Sequence, residues 1–152
     1  MDFRRRVRDA AGGPAHAATF LRRRRMVLEE ALMADADDFA RIFVHELFHF
    51  VWLRLGNPKR RSYERLLASE LQHKVRGELG WSAEWRKNKL EPRDWRKRTR
   101  QWREYCCESF CDTAAWRYAG VRRHEEFTLA TAVRMARRRW FTQAGVDDGI
   151  AI

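Results

Sequence analysis

Cysteine is scarce in this 152-residue chain: there are three, clustered at Cys106, Cys107 and Cys111. An odd, clustered set cannot build a spaced disulfide framework, so reduced thiols in a cytoplasmic protein are the expectation. Cys107 and Cys111 are four apart, but no second Cys/His pair at zinc-finger spacing accompanies them. Packing as small side chains in a buried helix is their expected role. No apolar run reaches the length of a membrane span, and no apolar h-region follows Met1-Asp2-Phe3-Arg4-Arg5-Arg6. No membrane association and no signal peptide are therefore expected. Internal repeats are absent, as are helix-turn-helix and RNP patterns. Acidic residues are outnumbered, 21 against 32 Lys and Arg, for a net charge of +11. A surface of this sign attracts nucleic acid, acidic proteins or anionic lipid. The basic runs are dispersed, at Arg4–Arg6, Arg22–Arg25, Lys59–Arg61, Arg93–Arg103 and Arg137–Arg139. Plain solvation is the first reading of them, and a nucleic-acid partner through the basic surface is the second. The length fits one domain, and oligomeric state is left open.

What the chain does have is His45-Glu46-Leu47-Phe48-His49, an H-E-x-x-H pattern. On a helix, positions four apart share a face. Two imidazoles so placed can hold one zinc ion, and Glu46 can take a proton from a water on that metal. The local pattern predicts the helix: Asp35, Asp37 and Asp38 precede it as capping and dipole-matched residues. Phe39, Ile42, Phe43, Leu47, Phe50, Val51 and Leu53 follow at near-helical spacing, with Val44, Phe48 and Trp52 on other faces. A helix apolar nearly all round is buried, and buried His and Glu need partners that a metal supplies. The bland alternative is an amphipathic helix with two incidental histidines.

A hydrolytic zinc site needs a third protein ligand. Glu108 and Asp112 are four apart within an apolar stretch. Glu108 is the candidate ligand, and Asp112 the candidate hydrogen-bond partner for a free ring nitrogen of His45 or His49. Glu104 competes with Glu108, but a surface pair with Arg100, four residues earlier, accounts for it. Tyr105 is the candidate catalytic donor to a developing oxyanion, with packing as its plainer role.

The set His45-Glu46-x-x-His49 followed by Glu108-x-x-x-Asp112 resembles the gluzincin branch of zinc metallopeptidases, including HtpX-type proteases and the minimal ImmA/IrrE-type proteases. The resemblance covers the two motif helices. It implies a zincin-like metalloprotease core with an active-site helix and a third-ligand helix, Zn²⁺ as cofactor, and a protein or peptide substrate. The chain lacks the membrane spans of HtpX-type proteins, and it has Asp112 where ImmA/IrrE-type sequences usually show asparagine. SprT-like proteases use a third histidine, a part only His73 could fill here. The rival reading is a basic nucleic-acid-binding or regulatory protein with a structural or inactive zinc site. A protease recruited to DNA-associated substrates would join the two.

The expected fold is mostly helical α+β, with four or so helices and a small antiparallel N-terminal sheet or hairpin. Residues 1–19 read as a basic, mobile segment broken at Gly12-Gly13-Pro14, 20–142 as the domain, and 143–152 as a tail. Met26-Val27-Leu28 suits a strand, though a short helix over 27–33 competes with it. Such a strand before the metal helix would pair with extended substrate. Gly56-Asn57-Pro58 stops the motif helix, and further helices are expected over 62–79, 93–118 and 125–141. His16 and His73 read as incidental. Trp95 and Trp102 are expected to pack inward. Trp81 and Trp85 are expected in the core rather than on a cleft wall.

Overall fold

The computed structural model describes residues 1–8 and 14–149. The Gly12-Gly13 break lies outside them. The N-terminal part is a three-stranded mixed sheet in the order β1-β5-β4, formed by β1 (Asp2–Arg4), β4 (Ala17–Phe20) and β5 (Arg25–Glu29). β4 pairs antiparallel with β5, from Ala17 opposite Leu28 to Phe20 opposite Arg25. β1 pairs parallel with β5, so the sheet is mixed rather than antiparallel as expected. β2 (Val7–Arg8) and β3 (Pro14–Ala15) form a separate antiparallel pair. The basic N-terminal segment thus contributes strands to both sheets. Met26, Val27 and Leu28 are buried in β5, as the strand reading required. The competing helix exists only as a 3₁₀ turn over Glu30–Ala34.

Six helices follow: α1 (Ala36–Arg54), α2 (Gly56–Gln72), α3 (Trp81–Lys87), α4 (Pro92–Lys97), α5 (Arg100–Tyr118) and α6 (Thr131–Gln143). Asp35 caps α1 by accepting from the backbone N–H of Asp37 and Asp38, at 2.9 and 3.0 Å. The apolar residues of α1 serve two partners. Phe39, Ile42, Phe43, Leu47 and Phe50 pack on Met26, Leu28 and Leu32 on the sheet side. Val44, Phe48, Val51 and Trp52 pack into the main core with α5. That double burial is why the helix lacks a polar stripe.

Several boundaries differ from those read in the sequence. Gly56 does stop α1, at φ 75°, but the chain turns there and α2 begins at once. The expected 93–118 helix is two helices, divided at Arg98, which adopts a left-handed conformation at φ 50°. α6 starts six residues late because 121–130 is held as a loop. The Glu78 carbonyl accepts from the N–H of both Thr128 and Leu129 there. Trp102 is buried and Trp95 half-buried, both turned inward as expected. Trp81 and Trp85 are not in the core. They are 64% and 44% exposed and stack on one another, with ring centroids 6.1 Å apart. Short α3 turns Ala83 and Lys87 inward instead. His73 is exposed and bonds the Ser69 carbonyl. His16 pairs with Glu29. Val146, in the expected tail, is buried in the main core. Among the described residues no helix is long and apolar enough to cross a membrane.

Candidate metal centre

α1 and α5 lie against each other, and their contact surface carries the chemistry. The centre of α5, from Ser109 to Ala115, is buried throughout, so the polar groups beside it must meet polar groups from α1. His45 Nδ1 lies 2.7 Å from Asp112 Oδ1. A carboxylate there accepts a hydrogen bond from Nδ1–H, which leaves the Nε2 lone pair of the neutral His45 ring free to bind a metal. His45 Nε2 lies 3.4 Å from Glu108 Oε2. His49 turns its Nδ1 toward Cys107 Sγ, at 3.4 Å. The two imidazoles stand edge to face, with centroids 5.0 Å apart.

α3 and the loop before it hold the two carboxylates. Ser82 Oγ donates to Glu108 Oε2 at 2.6 Å, and Arg86 lies 3.8 Å from Glu108 Oε1. The Ala83 N–H donates to Asp112 Oδ2 at 3.2 Å. Gly80 leaves the space Asp112 occupies: a Cβ there would stand 2.3–2.4 Å from its carboxylate atoms. Sequence reasoning found none of these supports, because Gly80, Ser82 and Arg86 carry no motif and meet α5 only through the fold.

The pocket is built for positive charge. Burial opposes protonation of His45, but Asp112 and Glu108 outweigh it and hold its pKa well above the usual histidine value. Burial likewise opposes His49, and Cys107 and Glu108 raise it. Glu108 is pushed up by burial and pulled down further by His45, His49 and Arg86, ending well below the usual carboxylate range. The Cys107 thiol is lowered to about 6 by the hydrogen bond from Cys111, against burial and with help from His49.

His45, His49 and Cys111 each offer a ligand atom, all within 4.8 Å of one another, so this triad could hold a metal ion. Nitrogen and sulfur donors suit zinc. The chemistry fits with Glu108 as well: two donors on one tetrahedral ion at about 2.0–2.1 Å stand ~3.3 Å apart, close to the observed His45–Glu108 separation. Cys111 was read from the sequence as packing only. Its signal was its position three residues after Glu108 and one before Asp112, on the buried side of α5.

Glu46 follows His45 on the same helix and is 8% exposed. Its carbonyl accepts from Thr19 Oγ1 of β4 at 3.2 Å. Among the described residues no side chain pairs with its carboxylate, so a nearly buried carboxylate is left for water or a ligand. Tyr105 is elsewhere. Its hydroxyl donates to Glu78 Oε1 at 2.6 Å, and the residue is fully buried. The oxyanion role expected for it is corrected: its hydroxyl is buried and committed to the Glu78 carboxylate. Glu104 is exposed and pairs with Arg100 at 2.6 Å. No family model, no curated protein and no solved structure matches this chain.

Proposed function

We propose that the protein is a zinc metallopeptidase of gluzincin type, with His45, His49 and Glu108 as zinc ligands and Asp112 orienting His45. The observation that carries this reading is the Asp112–His45 contact at 2.7 Å, with a second carboxylate 3.4 Å from the other ring nitrogen. It supports a zincin-like core, in which α1 supplies the histidines and α5, packed against it, supplies both carboxylates. Bound there, zinc would polarise a peptide carbonyl and acidify water. Glu46 acts as the base: its unpaired carboxylate takes a proton from the attacking water and returns it to the leaving amine. Asp112 fixes the His45 tautomer, and Ser82 and Arg86 hold Glu108 in place.

One observation favours a second reading, a structural or inactive zinc in a basic regulatory or nucleic-acid-binding protein. Cys111 reaches the same point as the histidines. With Glu108 it would complete four protein ligands and leave no position for substrate.

The two readings separate experimentally. Protein purified without chelator should carry one zinc per chain, and His45→Ala or His49→Ala should lose it. Substitution with cobalt reports the third ligand: a thiolate–cobalt charge-transfer band in the near ultraviolet that Cys111→Ser removes would assign Cys111 and weigh against Glu108 alone. Glu46→Gln should retain the metal and lose hydrolysis of unfolded polypeptide by ~10²–10⁴-fold. Loss of metal in that variant would make Glu46 a ligand and remove the proposed base.

A further inference from the structure

A cleft of about 540 Å³ opens between the first turns of α2 and the α4–α5 junction. Its walls are arginine. Arg60 and Arg61 come from α2, Arg98 from the turn, and Arg100 and Arg103 from the start of α5; no lysine lines it. Two carboxylates lie among them and are already used. Glu64 accepts both bonds of a bidentate Arg98 at 2.5 and 2.7 Å, and Glu104 accepts from Arg100 at 2.6 Å. Arg60 bonds the Asn57 side chain at 2.9 Å. Arg61 and Arg103 are exposed and have no partner among the described residues. Five guanidinium groups against two carboxylates leave three positive charges uncompensated in one concavity. Exposed Lys59, Arg96 and Lys97 adjoin the two walls in sequence and continue the same sign.

We propose that this cleft binds the phosphodiester backbone of single-stranded nucleic acid. Guanidinium forks match phosphate oxygens in geometry, and a lining whose cations are all arginine selects for that match over a simple point charge. Positive charge on both walls suits an anion that repeats, rather than one isolated acidic side chain. The cleft is too small to take a duplex. Its floor is Trp52, whose ring is already packed against Tyr63 and Phe110, at 6.2 and 5.0 Å between centroids. Base stacking is therefore not offered, and recognition is of the backbone and independent of base sequence. Cys107 also lines the cleft, and its Sγ lies 3.4 Å from His49 Nδ1. The proposal does not rest on the peptidase reading.

Fluorescence anisotropy of a labelled oligothymidylate of about 12 nucleotides, titrated with the full chain over a range of salt, tests it. The unmodified protein should bind at low salt and weaken steeply as salt rises. Arg61→Ala/Arg103→Ala should weaken binding about tenfold or more and flatten the slope of log K against log salt by about 1.4, two phosphate contacts at ~0.7 each. Arg122→Ala/Arg123→Ala removes the same charge from exposed positions outside the cleft and should change affinity by less than about twofold. All four side chains are exposed, so both variants should melt like the parent. Equal losses in the two variants would overturn the proposal, because charge alone would then account for binding. So would no binding at low salt, or displacement of the probe by oligoglutamate as effectively as by unlabelled oligonucleotide, which would make the cleft a site for acidic polypeptide.

Discussion

At Gly80 the missing side chain is the functional feature. Its φ is −174°, an extended conformation open to any residue, so the glycine is not needed for its backbone. It is needed because the Asp112 carboxylate fills the place of a Cβ. Asp112 cannot retreat without losing His45 on one side and the Ala83 N–H on the other. Gly80→Ala should therefore act on the metal through Asp112, weakening affinity by roughly 10–100-fold, as losses of a ligand's orienting partner do. A competition titration against a chelator measures it, and Asp112→Asn in the same assay should fall in the same range. Unchanged affinity in Gly80→Ala would show that Asp112 can shift without cost. Glu108→Ala should be more damaging than either if Glu108 is a ligand. If Cys111→Ser is the more damaging change, the ligand set is the sulfur-containing one.

Among the elements, the loop between α2 and α3 carries the tightest backbone approach. Gly77 has φ 79°, and a Cβ there would stand 2.5 Å from the Thr128 carbonyl oxygen. Thr128 and Leu129 in turn bond the Glu78 carbonyl, so this contact fixes the loop that leads into α3 and α6. Gly77→Ala combines a left-handed alanine with a clash against backbone that is itself pinned. A loss of about 1–3 kcal/mol follows. At roughly 2–4 °C per kcal/mol for a chain of this size, the melting temperature should fall by several degrees. Equal melting curves for Gly77→Ala and the parent would mean that the loop yields. α1 was legible in the sequence because its determinants are local: the Asp35 cap, the dense apolar run and the four-residue spacing of His45 and His49. The Glu108–Asp112 spacing placed two carboxylates on one face in the same way. What could not be read depends on contacts between distant segments. Arg98 carries no sequence mark of a left-handed turn, and the parallel partner of β1 lies more than twenty residues away. Trp81 and Trp85 look like core by size, yet a short helix that must turn Ala83 toward α5 leaves them outside. Tyr105 lies three residues before Glu108, which allowed a place beside it. The actual choice was made by Glu78, which no pattern connects to Tyr105.

For the molecule as a whole, charge is managed differently inside and outside. The surface carries much of an excess of +11, whereas Arg137, the one fully buried arginine among the described residues, is compensated. It holds Glu70 at 2.6 Å and Glu78 at 2.7 Å, tying α6 to α2 and to the loop before α3. Lys87 of α3 stands 3.3 Å from the same Glu78, and Tyr105 of α5 donates to it, so four helices and one loop meet at this cluster. Burial would raise the Glu78 pKa, but Arg137 and then Lys87 pull it down more strongly, to about 2 from an ordinary 4.5. A carboxylate whose folded pKa lies below its unfolded value stabilises the fold above the unfolded value. That contribution is lost as pH falls from about 4.5 toward 2. At 1.36 kcal/mol per pKa unit the contribution is on the order of 3 kcal/mol. The excess of basic groups acts in the same direction, since each surface carboxylate neutralised by acid adds to self-repulsion. Urea unfolding of the parent should therefore weaken steeply between pH 4.5 and 2. Glu78→Gln should be less stable at pH 7, because Arg137 and Lys87 lose a counter-charge, but its stability should fall less over that acid interval. Melts of both proteins at pH 7, 4.5, 3 and 2 supply the comparison. Parallel acid profiles would place the acid sensitivity on other carboxylates and leave Glu78 a packing partner of Arg137 whose charge does not matter.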